Sequence, residues 1–127
     1  MSWIDDLKNK YEMFAEIHPY NFGVGDGWRE LVEQLCYDLK DFPIEVVQVK
    51  EKFGGLRFYI DTKSDEIYDK ATKIIHEAEA KSFVICENCG MHGNLRNKHG
   101  WLTTLCSTCG RNYKECNFDL TDRRISE

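Results

Sequence analysis

The feature that most constrains this chain is a pair of C-x-x-C-G motifs in its C-terminal part. They occupy residues 86–90 and 106–110, with 16 residues between the second cysteine of the first motif and the first cysteine of the second. In each motif a tight turn lets two sulfur atoms reach one ion, and four thiolates complete a closed tetrahedral shell. This spacing is typical of four-cysteine zinc modules, so the sequence predicts one structural Zn²⁺ per chain. The predicted ligands are Cys86, Cys89, Cys106 and Cys109.

Other uses of the cysteines and nearby histidines fit the sequence less well. Two disulfides are the weaker explanation in a reducing cytosol, and a thioredoxin-like motif uses a single C-x-x-C in a βαβ setting. His92 and His99 are alternative ligands, but four cysteines already satisfy the ion, and we expect both rings to face solvent or to orient a sulfur. Cys36 falls on an apolar helical stripe and is interpreted as a core residue. Cys116 remains open as a buried thiol, a reactive thiol or a spare ligand.

Length and charge limit the classes of protein to consider. The chain has 127 residues, of which 42% are hydrophobic, which suits one compact domain or two small lobes. It contains no apolar stretch near the roughly 18 residues of a membrane span and no signal-peptide pattern, so we expect a cytoplasmic protein without membrane contact. Residues 1–81 hold 11 basic and 17 acidic side chains, against 6 and 5 in residues 82–127. The net charge of −5 counts against general coating of nucleic acid, which needs a clustered basic face.

Residues 1–81 are predicted to form an α+β lobe with the element order helix, helix, β-hairpin, helix (ααββα). Apolar residues at three- and four-residue steps predict a first helix from Ser2 to just before His18, and a second that Asp26 caps and Pro43 closes. The glycines before the second helix are interpreted as a turn and cap rather than a phosphate loop, because no Lys-Ser or Lys-Thr follows them.

Strand-like alternation and a further helical stripe complete the predicted lobe. Alternating apolar residues over 44–61 predict an antiparallel hairpin with its turn at residues 52–55. A third helix is predicted over 64–81, with acidic residues in its first turn.

Residues 82–127 are predicted to form a separate zinc-binding module. A small hairpin is expected over residues 91–105, between the two C-x-x-C-G motifs. Residues 110–115 are expected to continue as a helix, which favours a treble-clef arrangement over a ribbon-like one. Because the module has few apolar residues of its own, the metal should hold it together.

Three segments carry a resemblance to a known group of proteins. They are Gly25-Asp26-Gly27-Trp28, the stretch VKEKFGGLRFY at residues 49–59, and the paired C-x-x-C-G motifs. Together, and in this order, they resemble a family of small zinc-binding proteins of bacteria and their phages. The resemblance extends from about residue 25 to residue 110. It implies a microbial or phage origin and a zinc-binding C-terminal part, and it implies no activity that transfers to particular residues.

Two kinds of surface are candidates for binding. The hairpin and the module offer basic and aromatic groups that suit phosphates and bases, although alternation on a solvated strand face also explains the hairpin residues. The acidic helices of the lobe, in contrast, suit a basic protein partner, although solvated helix faces also explain these charges. The candidate binding residues are Lys50, Lys52, Arg57, Tyr59, Arg96 and Lys98.

From these patterns we predict a non-enzymatic zinc-binding adaptor or regulatory protein that acts by binding another protein. The alternative is a nucleic-acid-binding protein that uses the basic hairpin and the zinc module. A third and weaker hypothesis is a metal-dependent nuclease, because the spacing of its candidate residues is not that of a recognised nuclease motif. Those candidates are His92, Asn94, Asn97 and His99.

Overall fold

The fold is mixed α+β, as the sequence predicts, in a computed structural model that describes residues 2–111 and 114–115. Its helices are α1 (Trp3–Lys10), α2 (Arg29–Leu39) and α3 (Asp65–Ser82). Short 3₁₀ turns lie at Glu12–Phe14, Pro19–Asn21 and Asp26–Trp28. Among the described residues, no helix has the length and apolar character needed to cross a bilayer.

The first helix is shorter than expected. Ser2 caps it, because its Oγ accepts a hydrogen bond from the Asp5 amide at 3.1 Å. The helix ends at Lys10, since Tyr11 is extended (φ −118°, ψ 130°). The apolar pattern continues into a 3₁₀ turn that buries Phe14, so the prediction of one helix up to His18 is wrong.

The second and third helices lie where the sequence predicts them, but Asp26 has a different role from the one expected. Residue 28 occupies the position before α2, and no side chain caps that helix. The Asp26 carboxylate instead accepts a hydrogen bond from Trp3 Nε1 at 2.8 Å, which ties α1 to the start of α2. Ser64 does cap α3, because its Oγ accepts from the Ile67 amide at 3.2 Å.

The predicted hairpin is confirmed as β2 (Glu45–Lys52) and β3 (Gly55–Asp61), which pair antiparallel. Its turn residues Phe53 (φ 53°) and Gly54 (φ 89°) are both left-handed, the conformation that a two-residue type I′ turn requires. A short strand, β1 (Phe22–Gly23), adds to β2 in parallel and gives the order β1-β2-β3. Two residues are too few to show the alternation of apolar and polar side chains that marks a strand, so the sequence carries no signal for β1.

A second sheet follows the first C-x-x-C-G motif. It contains β4 (Asn94–Lys98), β5 (Trp101–Leu105) and β6 (Lys114–Glu115) in the order β5-β4-β6. The predicted hairpin of residues 91–105 is therefore confirmed.

The helix expected over residues 110–115 is wrong, because Lys114–Glu115 pair with β4, and the arrangement at this point is ribbon-like. The predicted module extends to residue 127, and residues 112–113 and 116–127, with Cys116, lie outside the described residues.

The main core lies between the β2–β3 hairpin and helices α2 and α3. Helix α3 also covers the outer edge of β3: Ser82 Oγ accepts from the Leu56 amide at 2.8 Å, and the Glu79 carboxylate accepts from the Phe58 amide at 3.0 Å. These bonds satisfy edge amides that would otherwise be open to another strand. The largest buried side chains of this core are Trp28, Val32, Leu35, Cys36, Leu39, Val46, Val49, Leu56 and Ile75.

Candidate metal centre

The two C-x-x-C-G motifs bring four sulfur atoms together at one point. The Sγ atoms of Cys86, Cys89, Cys106 and Cys109 all lie within 4.8 Å of one another, and those of Cys89 and Cys106 are 3.6 Å apart. A tetrahedron with Zn–S bonds of about 2.3 Å has edges of about 3.8 Å, whereas a disulfide bond is only about 2.05 Å long. All four cysteines are free thiols, so this cluster is positioned to hold a metal ion.

Hydrogen bonds favour ionisation of some of these thiols over others. The Cys109 amide donates to Cys106 Sγ at 3.4 Å, and this bond is the main reason that the pKa of Cys106 falls to about 6. Burial opposes ionisation of Cys86, yet N–H groups of residues 106, 89 and 88 lower its pKa.

Cys89 behaves in the opposite way. The Met91 N–H lowers its pKa, but burial and the neighbouring sulfur atoms outweigh that bond and raise the pKa to about 12. A divalent cation binds thiolates, so its binding displaces any protons that these sulfur atoms carry.

The first motif is docked on the segment that precedes α2. Gly27 N–H donates to the Glu87 carbonyl oxygen at 2.7 Å, and Gly25 N–H donates to Glu87 Oε2 at 2.9 Å. The indole Nε1 of Trp28, which is fully buried, donates to the Ile85 carbonyl oxygen at 2.8 Å. Burial raises the pKa of Glu87, the Gly25 N–H bond opposes that shift, and the Glu51 carboxylate adds to it.

This docking explains both glycines of the Gly-Asp-Gly-Trp segment. A Cβ atom at Gly27 would lie 2.6 Å from the Glu87 carbonyl oxygen and closer still to that of Cys86, while one at Gly25 would lie 2.8 Å from Glu87 Cγ. The glycines therefore allow two backbones to touch, and the interpretation of Asp26 as a cap missed this role. Glycines flanking a buried tryptophan were the available signal, but the sequence does not show what packs on them.

The tip of the β2–β3 hairpin makes the second contact with the module. Thr104 Oγ1, which is buried, donates to the Gly54 carbonyl oxygen at 2.7 Å, and a Cβ at Gly54 would collide with Leu95 Cδ1. On the other side the Phe83 ring packs against Gly55, where a Cβ would lie 2.6 Å from Cε2. The two glycines of the VKEKFGGLRFY stretch thus fit the hairpin tip between α3 and the second sheet.

The structure brings the four candidate binding residues of the hairpin to one face. Lys50 lies opposite Arg57, and Tyr59 lies opposite Gln48, in register. Because side chains alternate along a strand, these residues and Lys52 point away from the buried face of Val49, Leu56 and Phe58. Tyr59 is 42% exposed. Binding at this face stays a prediction.

The other two candidates, Arg96 and Lys98, do not extend that face in the same way. Arg96 is only 6% exposed, and its Nε donates to the Leu105 carbonyl oxygen at 2.9 Å. Its side chain also fills the space beside Gly110 of the second motif. Arg96 therefore supports the metal centre, and little of its side chain is accessible for the surface binding that the sequence predicts. Lys98, in contrast, is exposed and pairs with Trp101 on β5.

The histidines and asparagines near the motifs lie apart from the sulfur cluster. His92 is exposed, and His99 occupies the β4–β5 turn with φ 54°. Asn97 Oδ1 accepts from the Gly100 amide at 2.8 Å, which shapes that turn, and Asn94 begins β4. Within residues 2–111 the cysteines alone form a convergent ligand set. No model of a protein family, no curated protein and no solved structure matches this chain.

Proposed function

We propose that this protein is a zinc-binding adaptor that acts by binding another protein and carries no catalytic centre. The observation that supports this proposal is the docking of the first C-x-x-C-G motif onto residues 25–28. An ion that fixes this motif also fixes the position of the lobe against the second sheet. Four sulfur ligands leave no open coordination position for a substrate, so the metal shapes a binding surface and takes no part in a reaction.

Zinc is the metal that fits the donor set best. Four thiolates in a tetrahedron suit Zn²⁺, and carboxylate-preferring ions such as Mg²⁺ and Ca²⁺ do not bind such a set. One cluster of four sulfurs among the described residues supports one ion per chain. Reduced cysteines and this ion suit a cytoplasmic protein of the bacterial and phage family that the sequence resembles.

Elemental analysis of the purified protein tests the metal assignment. We expect one equivalent of zinc per chain, loss of the metal in Cys86→Ser, and retention in Cys36→Ala, which removes a thiol of the lobe core that is not part of the cluster. A folded, metal-free protein whose mass shows two disulfides would overturn the assignment.

A second candidate function is nucleic-acid binding, and the shared face of Lys50, Lys52, Arg57 and Tyr59 favours it. Two cationic groups opposite each other beside an exposed phenol ring are suited to phosphates and bases. The net charge of −5 weakens this candidate, because acidic groups elsewhere on the chain repel a polyanion.

Fluorescence anisotropy with mixed-sequence single- and double-stranded oligonucleotides separates the two functions. The adaptor proposal predicts no binding at near-physiological salt. Binding that persists there, and that is lost in Lys50→Ala/Lys52→Ala/Arg57→Ala, would replace it with the second candidate. The matched control removes three exposed lysines elsewhere on the lobe, Lys63→Ala/Lys73→Ala/Lys81→Ala.

A further inference from the structure

Helices α1 and α2, with Tyr11, border an open groove. The groove has a volume of about 580 Å³, within the range of sites that accept a few side chains of a ligand. Two buried residues, Trp3 and Leu7, line it together with Tyr11 and Tyr37. Tyr37 is 58% exposed, so the groove presents an aromatic surface to solvent.

We infer that this groove binds an arginine- or lysine-bearing segment of the partner protein, an inference that rests on the adaptor function proposed above. The first reason is charge. Asp6, Glu30 and Glu33 line the groove, and Lys10 is the one cation among the described residues that line it. Arg29 pairs with Glu33 at 3.0 Å, whereas no cationic side chain of residues 2–111 forms an ion pair with Asp6 or Glu30. The groove therefore offers two carboxylates to an incoming cation.

The second reason is that the aromatic rings of the groove already attract cations. Lys10 Nζ lies 5.4 Å from the centre of the Tyr11 ring, and Lys40 Nζ lies 4.8 Å from that of Tyr37. A guanidinium group stacks on such a ring and, at the same time, donates two hydrogen bonds to a carboxylate. Tyr37 and Glu30 line the same groove and supply these two partners.

The shape and charge of the groove also argue against other occupants. An eight-residue helix such as α1 is about 12 Å long, so the groove accepts a short segment and not the face of a folded domain. A nucleic-acid backbone would place phosphates beside Asp6 and Glu30, which repel them. A basic segment carried on another protein satisfies both limits.

Binding of fluorescein-labelled nona-arginine to the zinc-loaded full-length protein tests the inference, with nona-glutamate as the probe of opposite charge. We expect nona-arginine alone to bind, and to change ¹H–¹⁵N amide shifts mainly in α1 and α2. Asp6→Asn/Glu30→Gln should weaken binding about tenfold, as expected for the loss of two charge-assisted contacts. Asp69→Asn/Glu77→Gln makes the same charge change on exposed positions of α3 and should weaken binding less than twofold.

Weaker binding by Asp6→Asn/Glu30→Gln could also result from misfolding, so a second variant is chosen that should bind more tightly. Lys10→Gln removes the cation that lines the groove beside Tyr11 and should strengthen binding about threefold. Equal weakening by the two double variants, or shift changes spread evenly over α3, would show general charge attraction and overturn the inference.

The nona-arginine and oligonucleotide titrations together distinguish failure of the groove assignment from failure of the adaptor proposal. If neither nona-arginine nor an oligonucleotide binds, the groove assignment falls and the adaptor function stands. If the oligonucleotide binds on the β2–β3 face and nona-arginine does not bind, both fall.

Discussion

At the scale of single residues, Gly27 lies where the lobe contacts the first C-x-x-C-G motif. In Gly27→Ala the new Cβ meets the carbonyl oxygens of Cys86 and Glu87, which are backbone atoms and cannot rotate away. We expect a loss of about 2 kcal/mol in the free energy of unfolding, as for other overpacked sites. Urea denaturation of the zinc-loaded protein measures it. Gly23→Ala is the control, because nothing lies within 4 Å of a Cβ there, and a similar loss in both variants would contradict this explanation.

Cys36 gives a residue-scale prediction for pH. Burial, with a smaller effect of the Glu33 carboxylate, raises the pKa of Cys36 from 9.0 to about 12 in the folded protein. The unfolded thiol ionises near pH 9, so between pH 9 and 12 the unfolded state has released a proton that the folded state retains. The free energy of unfolding should therefore fall by up to about 1.4 kcal/mol per pH unit above pH 9.

Denaturation at several pH values from 8 to 10.5 measures this slope. In Cys36→Ala the stability at pH 8 is lower because a cavity forms, but the part of the slope due to this thiol should disappear. If the free energy of unfolding falls with pH at the same rate in the original protein and in Cys36→Ala, the pKa of Cys36 is not raised by burial.

Sequence alone identifies residues whose role is set locally and misses those whose role is set by a distant partner. The four cysteines obey a spacing rule, and their convergence confirms it. Cys36 lies in the core as its helical stripe predicts. Gly25 and Gly27, in contrast, contact residues about 60 positions away, and no pattern around them shows that partner.

At the scale of elements the same distinction holds. Helices α2 and α3 and the β2–β3 hairpin follow from hydrophobic period and turn chemistry, because each is long enough to show its period. Strand β1 exists because Phe22 pairs with Val49, and β6 because Glu115 pairs with Arg96. These two-residue strands form because they pair with a strand elsewhere in the chain, and local propensity does not indicate them. For this reason the prediction of a helix over residues 110–115 was wrong.

The cover of β3 by α3 gives a prediction at this scale. Ser82 is fully buried, accepts from the Leu56 amide and donates to the Glu79 carbonyl oxygen at 2.5 Å. Ser82→Ala removes the acceptor of the buried Leu56 amide, so the free energy of unfolding should fall by about 1–3 kcal/mol. Native-state hydrogen exchange should show a larger loss of protection at Leu56 than at Phe58, whose amide Glu79 still holds. Equal losses at the two amides would indicate general destabilisation without a local edge effect.

At the scale of the whole molecule, the Gly-Asp-Gly-Trp segment and the Gly-Gly tip of the hairpin are the places where the lobe meets the metal centre. Residues 25–28 receive the first C-x-x-C-G motif, and the hairpin tip at residues 53–55 packs against the second sheet and Phe83. A division between residues 81 and 82 stays a prediction, but these bonds cross it. The structural requirement of the contact explains why glycines occur at these positions.

Metal removal should therefore affect the lobe as well as the cysteines. On the zinc assignment proposed above, a chelator releases Cys86 and Cys89, which flank Glu87. The Gly27 amide, which donates to the Glu87 carbonyl oxygen at 2.7 Å, should then lose protection from hydrogen exchange together with the module. The Glu87 amide, bonded to the Thr104 carbonyl oxygen at 2.9 Å, reports on the module itself, and the Ile75 amide reports on the core of the lobe. We expect Gly27 to follow Glu87 while Ile75 retains most of its protection. If Gly27 stays protected after Glu87 has exchanged, the lobe holds its docking segment without the metal, and zinc then stabilises the module alone.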